Sequence, residues 1–444
     1  MLSDPIVALA TPPGRSAIAV VRVSGVGALE VVERVVPGIA AFAPRMATLA
    51  RFVAADGTLI DRGVATRFRA PASFTGEDLV ELSCHGGLAT PARLLAALQS
   101  AGARPAAAGE FTRRAVLNGK LGLLEAEAIA DLVDSTAPMQ ARTALDQLDG
   151  GLRRRLETLR DRTVELQALL TYQIDFPDED DGPVPAEALR AGHATLRDDV
   201  RRLLATAPGA ERLRAGALVV LAGRPNAGKS SLFNALLGAE RTLVTELPGT
   251  TRDAVEAGTT CDGWPVRLVD TAGLHSPAER LDQLGVEVSR RYLGAADLVL
   301  LCVEGERALE GEECDLARDA RTLVVRTKGD LRQQGGSAEA EQTLSVSVVT
   351  GEGLETLRHA IAARAFGAGG DVLEPTLLRE RHRDALARAA DELDAASMHL
   401  GDDGDALLAS HHLRMANGQL EELIGAVAAD DVLARIFANF CVGK

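Results

Sequence analysis

The chain has 444 residues, enough for roughly two to four domains, and its 46% hydrophobic and 25% charged residues are typical of a globular protein. The formal charge of −15 argues against a broad basic face for nucleic acid, although a local patch or a partner protein could still bind RNA. The five cysteines have no C-x-x-C spacing, and neither a signal peptide nor a run of about 20 apolar residues is evident. We therefore expect a cytoplasmic protein without a disulfide framework, a zinc knuckle or a membrane span.

Residues 1–118 are predicted to form an independent α+β domain. The block DPIVALATPPGRSAIAVVRVSG (4–25) has two β-rich runs around a Pro/Gly turn. A helical stretch follows, and then the block ATRFRAPASFTGEDLVELSCHGG (65–87).

Two amphipathic helical segments, 119–212 and 369–444, flank the middle of the chain. The first has one apolar helix face over about four turns, formed by Leu145, Leu148, Leu152, Leu156 and Leu159. The second repeats the pattern at Ala416, Leu420, Leu423, Ile424 and Val427. Because each segment alone would expose an apolar stripe, we expect them to pair in a helical bundle with residues 213–368 inserted between them. The arginines at 153–155 are more typical of a solvated face than of an RNA site.

A phosphate-binding loop opens the inserted segment. GRPNAGKS (223–230) matches G-x-x-x-x-G-K-[ST], and it lies between an apolar run suited to a buried strand (216–222) and a helical pattern (231–238). In this motif backbone N–H groups surround phosphate oxygens, Lys229 reaches the terminal phosphates, and the Ser230 hydroxyl binds Mg²⁺.

Two later motifs favour GTP. PGTTRDAV (248–255) has the threonines of a loop that closes on Mg²⁺ and the γ-phosphate, and VRLVDTAG (266–273) is a strand that ends at Asp270. The order resembles that of a translation-factor-type GTPase. LVVRTKGD (323–330) places Thr327, Lys328 and Asp330 where such proteins carry N-K-x-D, and Ser347 begins the segment that matches S-A-[KR]. The resemblance implies that the Asp330 carboxylate pairs with guanine, while threonine replaces the usual asparagine.

The blocks together resemble the MnmE (TrmE) family of tRNA modification GTPases along nearly the whole chain. The motifs that carry the resemblance are TPPGRSAIAVVRVSG, SFTGEDLVELSCHGG, GEFTRRAVLNGKLGLLEAEAIADLVDS, DFPDED, GRPNAGKSSLFNALLG, PGTTRD, DTAGL and the terminal FCVGK. The implied fold is a multidomain α/β protein with an N-terminal α+β domain for folate binding and dimerisation (1–118). A helical bundle (119–212 and 369–444) and an inserted P-loop GTPase domain with a mostly parallel sheet (213–368) complete it.

The resemblance implies GTP-driven modification of the wobble uridine of tRNA at carbon 5, performed with a flavin-dependent MnmG-type partner in a heterotetramer. Implied ligands are GTP, Mg²⁺ and a 5-formyl-tetrahydrofolate-type folate. GTP contacts are expected from Asn226, Ala227, Gly228, Lys229, Ser230, Ser231, Thr245, Glu246, Leu247, Pro248, Gly249, Thr250, Thr251, Asp270, Thr271, Ala272, Gly273, Thr327, Lys328, Asp330, Ser347, Val348 and Val349. Ser230 and Thr251 are the expected Mg²⁺ ligands.

Potassium and water activation are further implications. The resemblance to K⁺-assisted GTPases implies K⁺ beside the phosphates, held by Asn226, Thr245, Leu247 and Thr250; alternatively Asn226 only shapes the turn. Catalysis is expected to use Lys229, Thr251 and Asp282, with Asp282 where the family has a glutamate that orients water. Glu279 is the alternative for that task.

The folate would be bound by Arg22, Glu81 and Lys120, with the terminal Lys444 nearby. Cationic side chains suit the glutamate carboxylates of a folate, and Glu81 suits the donors of its pterin. Alternatively, Arg22 and Glu81 are simply an ion pair at the surface. Cys441 is assigned either a chemical role or a packing role.

A second class of function stays open at this point. It is a regulatory GTPase that switches RNA or ribosome-assembly interactions without covalent chemistry. The chain shows no basic RNA-binding module at either end, which counts against it.

Overall fold

The structure, a computed structural model, describes residues 4–176, 185–238, 255–270, 290–331, 343–367, 379–400, 404–425, 436–437 and 440–443. The chain divides into two units, Met1–Ala130 with Leu420–Lys444, and Asp131–Gln419. The four-part division predicted at 118, 212 and 368 stays a prediction. Among the described residues no helix combines the length and the apolar character needed to cross a membrane.

The first unit is built on a six-stranded sheet of order β3-β4-β5-β2-β1-β6, antiparallel except for the β1–β6 pair. Its strands are β1 (Ile6–Leu9), β2 (Ile18–Ser24), β3 (Thr48–Val53), β4 (Leu59–Phe68), β5 (Leu79–His85) and β6 (Arg104–Pro105). Its helices include α1 (Ala28–Glu33), α2 (Ala89–Ser100) and α3 (Glu110–Leu117). The predicted α+β architecture is confirmed.

Strand β2 shows how this sheet positions a candidate site. Val21 and Val23 point into the core and are fully buried, because alternate residues of a strand face opposite sides. Arg22 therefore lies on the other face, where the antiparallel register places it directly opposite Glu81 of β5. Two residues that are far apart in sequence become cross-strand neighbours.

The C-terminal end of the chain belongs to the same unit. Phe437 and Phe440 pack against Leu123 and Ala126, at the start of α4 (Leu123–Asp134). Gly109, at φ 62°, lets the chain pass close to Phe440, because a Cβ there would lie 2.8 Å from the Phe440 Cβ. The backbone N–H of Gly109 donates to the Cys441 carbonyl. The FCVGK sequence is thereby anchored beside the sheet.

The second unit contains a group of helices. They are α5 (Pro138–Leu148), α6 (Gly151–Asp175), α7 (Ala186–Ala205), α8 (Ala207–Ala215), α12 (Glu380–Ser397) and α13 (Ala406–Ile424), of which the residues from Leu420 onward belong to the first unit. The α13 pattern is confirmed, since Ala416, Leu420, Leu423 and Ile424 are all buried; Val427 lies outside the described residues. Ion pairs join neighbouring helices, as between Arg162 on α6 and Asp199 on α7.

The prediction of one continuous helix from Leu145 to Leu159 is wrong. The chain turns between α5 and α6 at Gly150, whose φ of 85° is in the left-handed region that a helix interior excludes. Leu145 is 48% exposed, whereas Leu152, Leu156 and Leu159 are buried. Leucine spacing continues across the break, so periodicity alone did not reveal it.

A six-stranded sheet of order β12-β11-β10-β7-β9-β8 forms the rest of this unit. It is parallel except for the β8–β9 pair, which confirms the predicted mostly parallel sheet. The strands are β7 (Ala217–Ala222), β8 (Val255–Cys261), β9 (Trp264–Asp270), β10 (Leu298–Glu304), β11 (Thr322–Thr327) and β12 (Thr343–Ser345). Helices α9 (Lys229–Gly238), α10 (Glu312–Ala317) and α11 (Leu354–Phe366) accompany it.

Helix α5 meets the sheet at the β8–β9 turn. The Met139 N–H donates to the Gly263 carbonyl at 3.0 Å, and the Gln140 side chain donates to the Leu213 carbonyl at 3.0 Å. Trp264 stacks on Phe366 with ring centroids 4.5 Å apart. Strand β9 therefore begins at the contact with the helices and ends at Asp270.

Candidate functional site

The phosphate loop follows β7 directly. All six residues of β7 are buried, as the apolar run predicted. Gly223 has φ 136°, and a Cβ there would lie 2.3 Å from the Cys302 carbonyl, so a larger residue would displace the backbone of β10. Asn226 has φ 64°, a left-handed conformation that asparagine adopts more readily than most residues. The sequence thus folds locally into a tight turn that leads into α9.

Lys229 lies inside this turn and is 6% exposed. Its Nζ donates to the Gly223 carbonyl at 2.7 Å and to the Arg224 carbonyl at 2.8 Å. Burial lowers the pKa of Lys229, while the neighbouring Cys302 and Asp270 act in the opposite direction. An ammonium group has three N–H donors, so one remains for a phosphate oxygen.

Ser230 and Asp270 meet at the same edge of the sheet. The Ser230 hydroxyl donates to the Asp270 carboxylate at 2.6 Å, and Asp270 is 4% exposed. The contact arises because β7 and β9 are parallel neighbours, so the loop after one lies beside the end of the other. Hard oxygen donors suit Mg²⁺, which usually keeps water and phosphate ligands as well. This pair of side chains fits such an ion.

The residues predicted to read the base lie at the end of β11 and after β11 and β12. The Thr327 hydroxyl, in a side chain that is 2% exposed, donates to the Ala227 carbonyl of the phosphate loop at 2.7 Å. The Ser347 hydroxyl donates to the Asp330 carboxylate at 2.7 Å, and Ser347 is buried. Lys328 forms a 2.7 Å ion pair with Glu304. Three separate sequence motifs therefore come together along one edge of the sheet.

Other predicted nucleotide contacts vary in placement. Ser231 is exposed on α9, Val348 packs against the core of this sheet, and Val349 is 84% exposed. The remaining predicted residues lie outside the described residues: Thr245, Glu246, Leu247, Pro248, Gly249, Thr250, Thr251, Thr271, Ala272, Gly273, Glu279, Asp282 and Lys444.

Sequence reasoning missed the surroundings of Arg224. Its guanidinium is 2.9 Å from Glu310 and 3.5 Å from Glu313, and Glu313 also pairs with Arg307. Arg224 occupies one of the x positions of G-x-x-x-x-G-K-[ST], where any residue is allowed, so the motif does not predict its ion pairs. The acidic run GERALEGEECD (305–315) after β10 was the available hint. These pairs join the phosphate loop to the segment that follows β10.

The first unit contains the candidate folate site. Arg22 and Glu81 form a 2.7 Å ion pair, with side chains 20% and 30% exposed. The Arg22 guanidinium lies 5.5 Å from the Phe74 ring centroid and 5.7 Å from that of Phe111. Its Nη1 also donates to the Gly443 carbonyl at 3.5 Å, next to Lys444. The two aromatic rings were not predicted; they belong to the motifs SFTGEDL and GEFTRR.

Lys120 lies against the loop that carries Phe74. A Cβ on Gly76, which has φ 78°, would lie 3.1 Å from the Lys120 Cγ. The Asn118 side chain donates to the Thr75 carbonyl at 2.7 Å and fixes the same loop. Arg22 and Lys120 therefore both border this loop, and two cations beside aromatic rings are compatible with an anionic ligand that has an apolar ring system.

A buried cluster of ion pairs contacts the loop that carries Phe74. Arg114 is 1% exposed, and its guanidinium lies 3.1 Å from Glu77, 3.0 Å from Glu110 and 3.4 Å from Asp4. Burial alone would raise the pKa of Glu110, but hydrogen bonds from Arg104, the Ala107 N–H and Arg114 bring it down to about 2. The cluster holds Glu77, three residues after Phe74.

Lysine is scarce in this chain. Only four of the 48 basic residues are lysines, and they are Lys120, Lys229, Lys328 and Lys444. Each one stands at a position predicted to contact GTP or folate, while all other basic positions carry arginine. An amine-reactive reagent can therefore modify lysine side chains only at the candidate sites.

Comparisons with known proteins identify the family of the chain. A family model described as the MnmE helical domain matches residues 123–441, and one described as the GTP-binding protein TrmE N-terminus matches residues 5–120. Among solved structures, the G domain of the T. maritima FeoB iron transporter is 30% identical, with 34% of this chain and 98% of that chain covered and a TM-score of 0.26.

Curated relatives match over the full length. The chain is 43% identical over 450 residues to the tRNA modification GTPase MnmE of Thermus thermophilus, with 100% of both proteins covered. It is 44% identical over 452 residues to the tRNA modification GTPase MnmE of Methylorubrum populi, with 99% of this chain and 98% of that protein covered. By these full-length identities and the two family models, the chain belongs to the MnmE family of tRNA modification GTPases.

Proposed function

We propose that this chain hydrolyses GTP to drive modification of the wobble uridine of tRNA at carbon 5, together with a flavin-dependent MnmG-type partner. The observation that carries the nucleotide part is the pair of hydroxyl–carboxylate contacts, Ser230 to Asp270 and Ser347 to Asp330. They stand along one sheet edge, at the two places where we propose that the phosphates and the base bind. The names of the full-length relatives support the tRNA part.

In this proposal each residue of the phosphate loop has a chemical task. Lys229 and the loop N–H groups bind the phosphate oxygens, and the Asp330 carboxylate accepts from the guanine N1–H and exocyclic amine. Ser230 and Thr251 would hold Mg²⁺, which neutralises charge that develops on the phosphates. Asp282 would orient the attacking water, with Glu279 as the alternative.

Potassium is proposed as a second cation beside the phosphates. Asn226 would bind it through the side-chain oxygen, with Thr245, Leu247 and Thr250, and it would offset charge between the β- and γ-phosphates. The exposed, left-handed Asn226 at the rim of the loop supports this assignment. A second copy of the domain is proposed to complete the site, so that the active form is a homodimer. Equal GTP hydrolysis rates in KCl and NaCl would contradict the potassium role.

The first unit is proposed to bind a 5-formyl-tetrahydrofolate-type folate. Arg22 and Lys120 would bind its carboxylates, Glu81 its pterin donors, and Lys444 would lie close by. The short Arg22–Glu81 ion pair is also what a purely structural pair would show, so the assignment depends on Phe74, Phe111 and Lys120 beside it. The rings offer apolar surface for a flat heterocycle.

The scarcity of lysine gives a direct test of both ligands. The full chain is acetylated with an amine-reactive reagent, with and without GDP or 5-formyl-tetrahydrofolate, and each lysine is quantified by mass spectrometry. We expect GDP to protect Lys328, and the folate to protect Lys120 and Lys444, whereas Lys229 is already buried and should react little with or without GDP. In an Arg22→Ala protein the folate protection disappears while the GDP protection persists. Exposed Arg51 on β3 is the matched control, and Arg51→Ala keeps both patterns.

The tRNA role is tested in cells. A strain that lacks this gene is profiled for tRNA nucleosides by mass spectrometry, and is then complemented with wild type or with Asp330→Asn. We expect wobble-uridine modification to disappear on deletion and to return with wild type alone. Normal modification in the deletion strain would reject the tRNA role and favour a GTPase that acts without covalent chemistry.

A further inference from the structure

Thr327 stands between the two ends of the nucleotide site. Its hydroxyl donates to the Ala227 carbonyl at 2.7 Å, and the Val303 carbonyl lies 3.3 Å away as a second acceptor. The side chain is 2% exposed, and a Cβ on Gly228 would lie 3.4 Å from the Thr327 Cβ. The residue therefore ties the end of β11 to the phosphate loop.

A threonine hydroxyl carries a single proton, and this one already has two carbonyl acceptors. A carboxamide at the same position would have two N–H donors, of which one could serve Ala227 and the other a ligand. Threonine thus keeps the tie to the loop but has no proton left for a base.

The position of the base follows from the covalent structure of a guanine nucleotide. Its phosphates are attached through the ribose to N9 of the imidazole ring, and its N1–H and exocyclic amine lie on the opposite ring. With the phosphates at the loop and the amine edge at Asp330, the imidazole ring lies between the two. Residue 327, at the end of β11, contacts the loop at Ala227 and precedes Asp330 by three positions, so we infer that it lies near this ring. The acceptor on this part of guanine is N7.

We propose that Thr327 is a specificity-determining positioning residue, which leaves guanine N7 without a side-chain donor from position 327. This chain then recognises guanine through its amine edge at Asp330, and the atom at position 7 of the purine has little influence on affinity. The inference rests on the proposed guanine-nucleotide site and says which part of the base that site reads.

The direct test compares GDP with 7-deaza-GDP, in which a C–H group replaces N7. Dissociation constants are measured by calorimetry on the full wild-type chain in the presence of Mg²⁺. We expect the two constants to agree within about twofold, since no side-chain hydrogen bond is lost. A site with a donor at N7 would disfavour the analogue by about 5- to 10-fold, because that buried donor would lose its partner.

Three variants separate the two tasks of residue 327. In Thr327→Asn the added N–H should create a preference for GDP over 7-deaza-GDP of about 5-fold. Thr327→Ser keeps the hydroxyl and should match wild type for both ligands. Thr327→Val keeps the shape but loses the tie to Ala227, so both affinities should fall by the same factor of about 10. A wild-type preference for GDP above about twofold overturns the proposal, and so does a folded Thr327→Asn protein that binds the two ligands equally.

Inosine diphosphate distinguishes this inference from the proposed function. It lacks the exocyclic amine that Asp330 would accept from, and we expect wild type to bind it at least about 10-fold more weakly than GDP. Failure to bind GDP, or equal binding of GDP and inosine diphosphate, rejects the guanine site itself. Strong discrimination against inosine together with strong discrimination against 7-deaza-GDP leaves the guanine site intact and rejects only the role of Thr327.

Discussion

The Ser347 hydroxyl donates to the Asp330 carboxylate at 2.7 Å and so joins the segment after β12 to the segment after β11. Ser347 is itself fixed, because its N–H donates to the Glu352 carbonyl and its carbonyl accepts from the Gly351 N–H. A carboxylate held by a buried hydroxyl has a defined orientation before any ligand arrives. Preorganisation of this kind lowers the entropy lost on binding.

Replacement of the carboxylate should alter base selection. In Asp330→Asn the side chain gains N–H donors and loses its charge, so we expect GDP affinity to fall about 100-fold and xanthosine diphosphate affinity to rise. Ser347→Ala should reduce GDP affinity by about 5-fold only, because the carboxylate remains. Calorimetric titration of the three proteins with both nucleotides tests this. Unchanged GDP affinity in Asp330→Asn would contradict the assignment.

Ser230→Ala should separate metal-dependent steps from nucleotide binding. The variant loses the hydroxyl that contacts Asp270, and we expect GTP hydrolysis in Mg²⁺ to fall about 100-fold. GDP affinity in EDTA should stay within about twofold of wild type, since the loop N–H groups and Lys229 remain. Hydrolysis is measured by phosphate release and affinity by calorimetry. An equal loss in both assays would indicate a damaged loop instead of a lost metal ligand.

Acid should weaken the first unit through Glu110. Its pKa is about 2 in the folded chain against an ordinary value of 4.5, so its contribution to stability is present above pH 4.5 and is lost as the pH falls towards 2. We expect Glu110→Gln to lower the urea midpoint, followed by circular dichroism, at pH 7, and the difference from wild type to shrink as the pH falls through this window. Exposed Glu30→Gln should behave as wild type. A difference that grows in acid would show the opposite linkage.

The cysteines should differ sharply in reactivity. Cys441 is exposed, whereas Cys84, Cys261 and Cys302 are buried; burial raises the pKa of Cys84 to about 11 and that of Cys302 to about 12. We expect one thiol of the native protein to react rapidly with a disulfide reagent at pH 8. The fast phase should vanish in Cys441→Ser, and all five thiols should react in urea. A fast phase that survives Cys441→Ser would place the reactive thiol elsewhere.

Local motifs made the candidate nucleotide site predictable from the sequence. The tight turn of 223–230 and the carboxylates at strand ends have fixed chemistry within a few residues, and parallel strands bring their carboxyl ends to one edge. The contacts between residues far apart in sequence could not be predicted in this way. The motif did not reveal that Thr327 would donate to Ala227, because the two are 100 residues apart and the contact depends on how β11 lies against the loop.

The adjacent residues Arg113 and Arg114 illustrate the same limit. Both lie on α3, yet Arg114 is 1% exposed while Arg113 is half-buried. The burial of Arg114 is compensated by carboxylates, and two of these, from Asp4 and Glu77, come from distant parts of the chain. Sequence patterns assign arginine to the surface, so they cannot predict that Arg114 is buried against carboxylates from distant parts of the chain.

The stacking of Trp264 on Phe366 has an optical consequence. Trp264 is the only tryptophan in the chain, so selectively excited emission comes from one indole at the contact between α5 and the β8–β9 turn. The same strand carries Asp270 at its other end. The fluorescence of the unlabelled, unmutated protein can therefore be recorded during GTP hydrolysis. A conformational change of β9 would shift the emission wavelength or the emission intensity of Trp264.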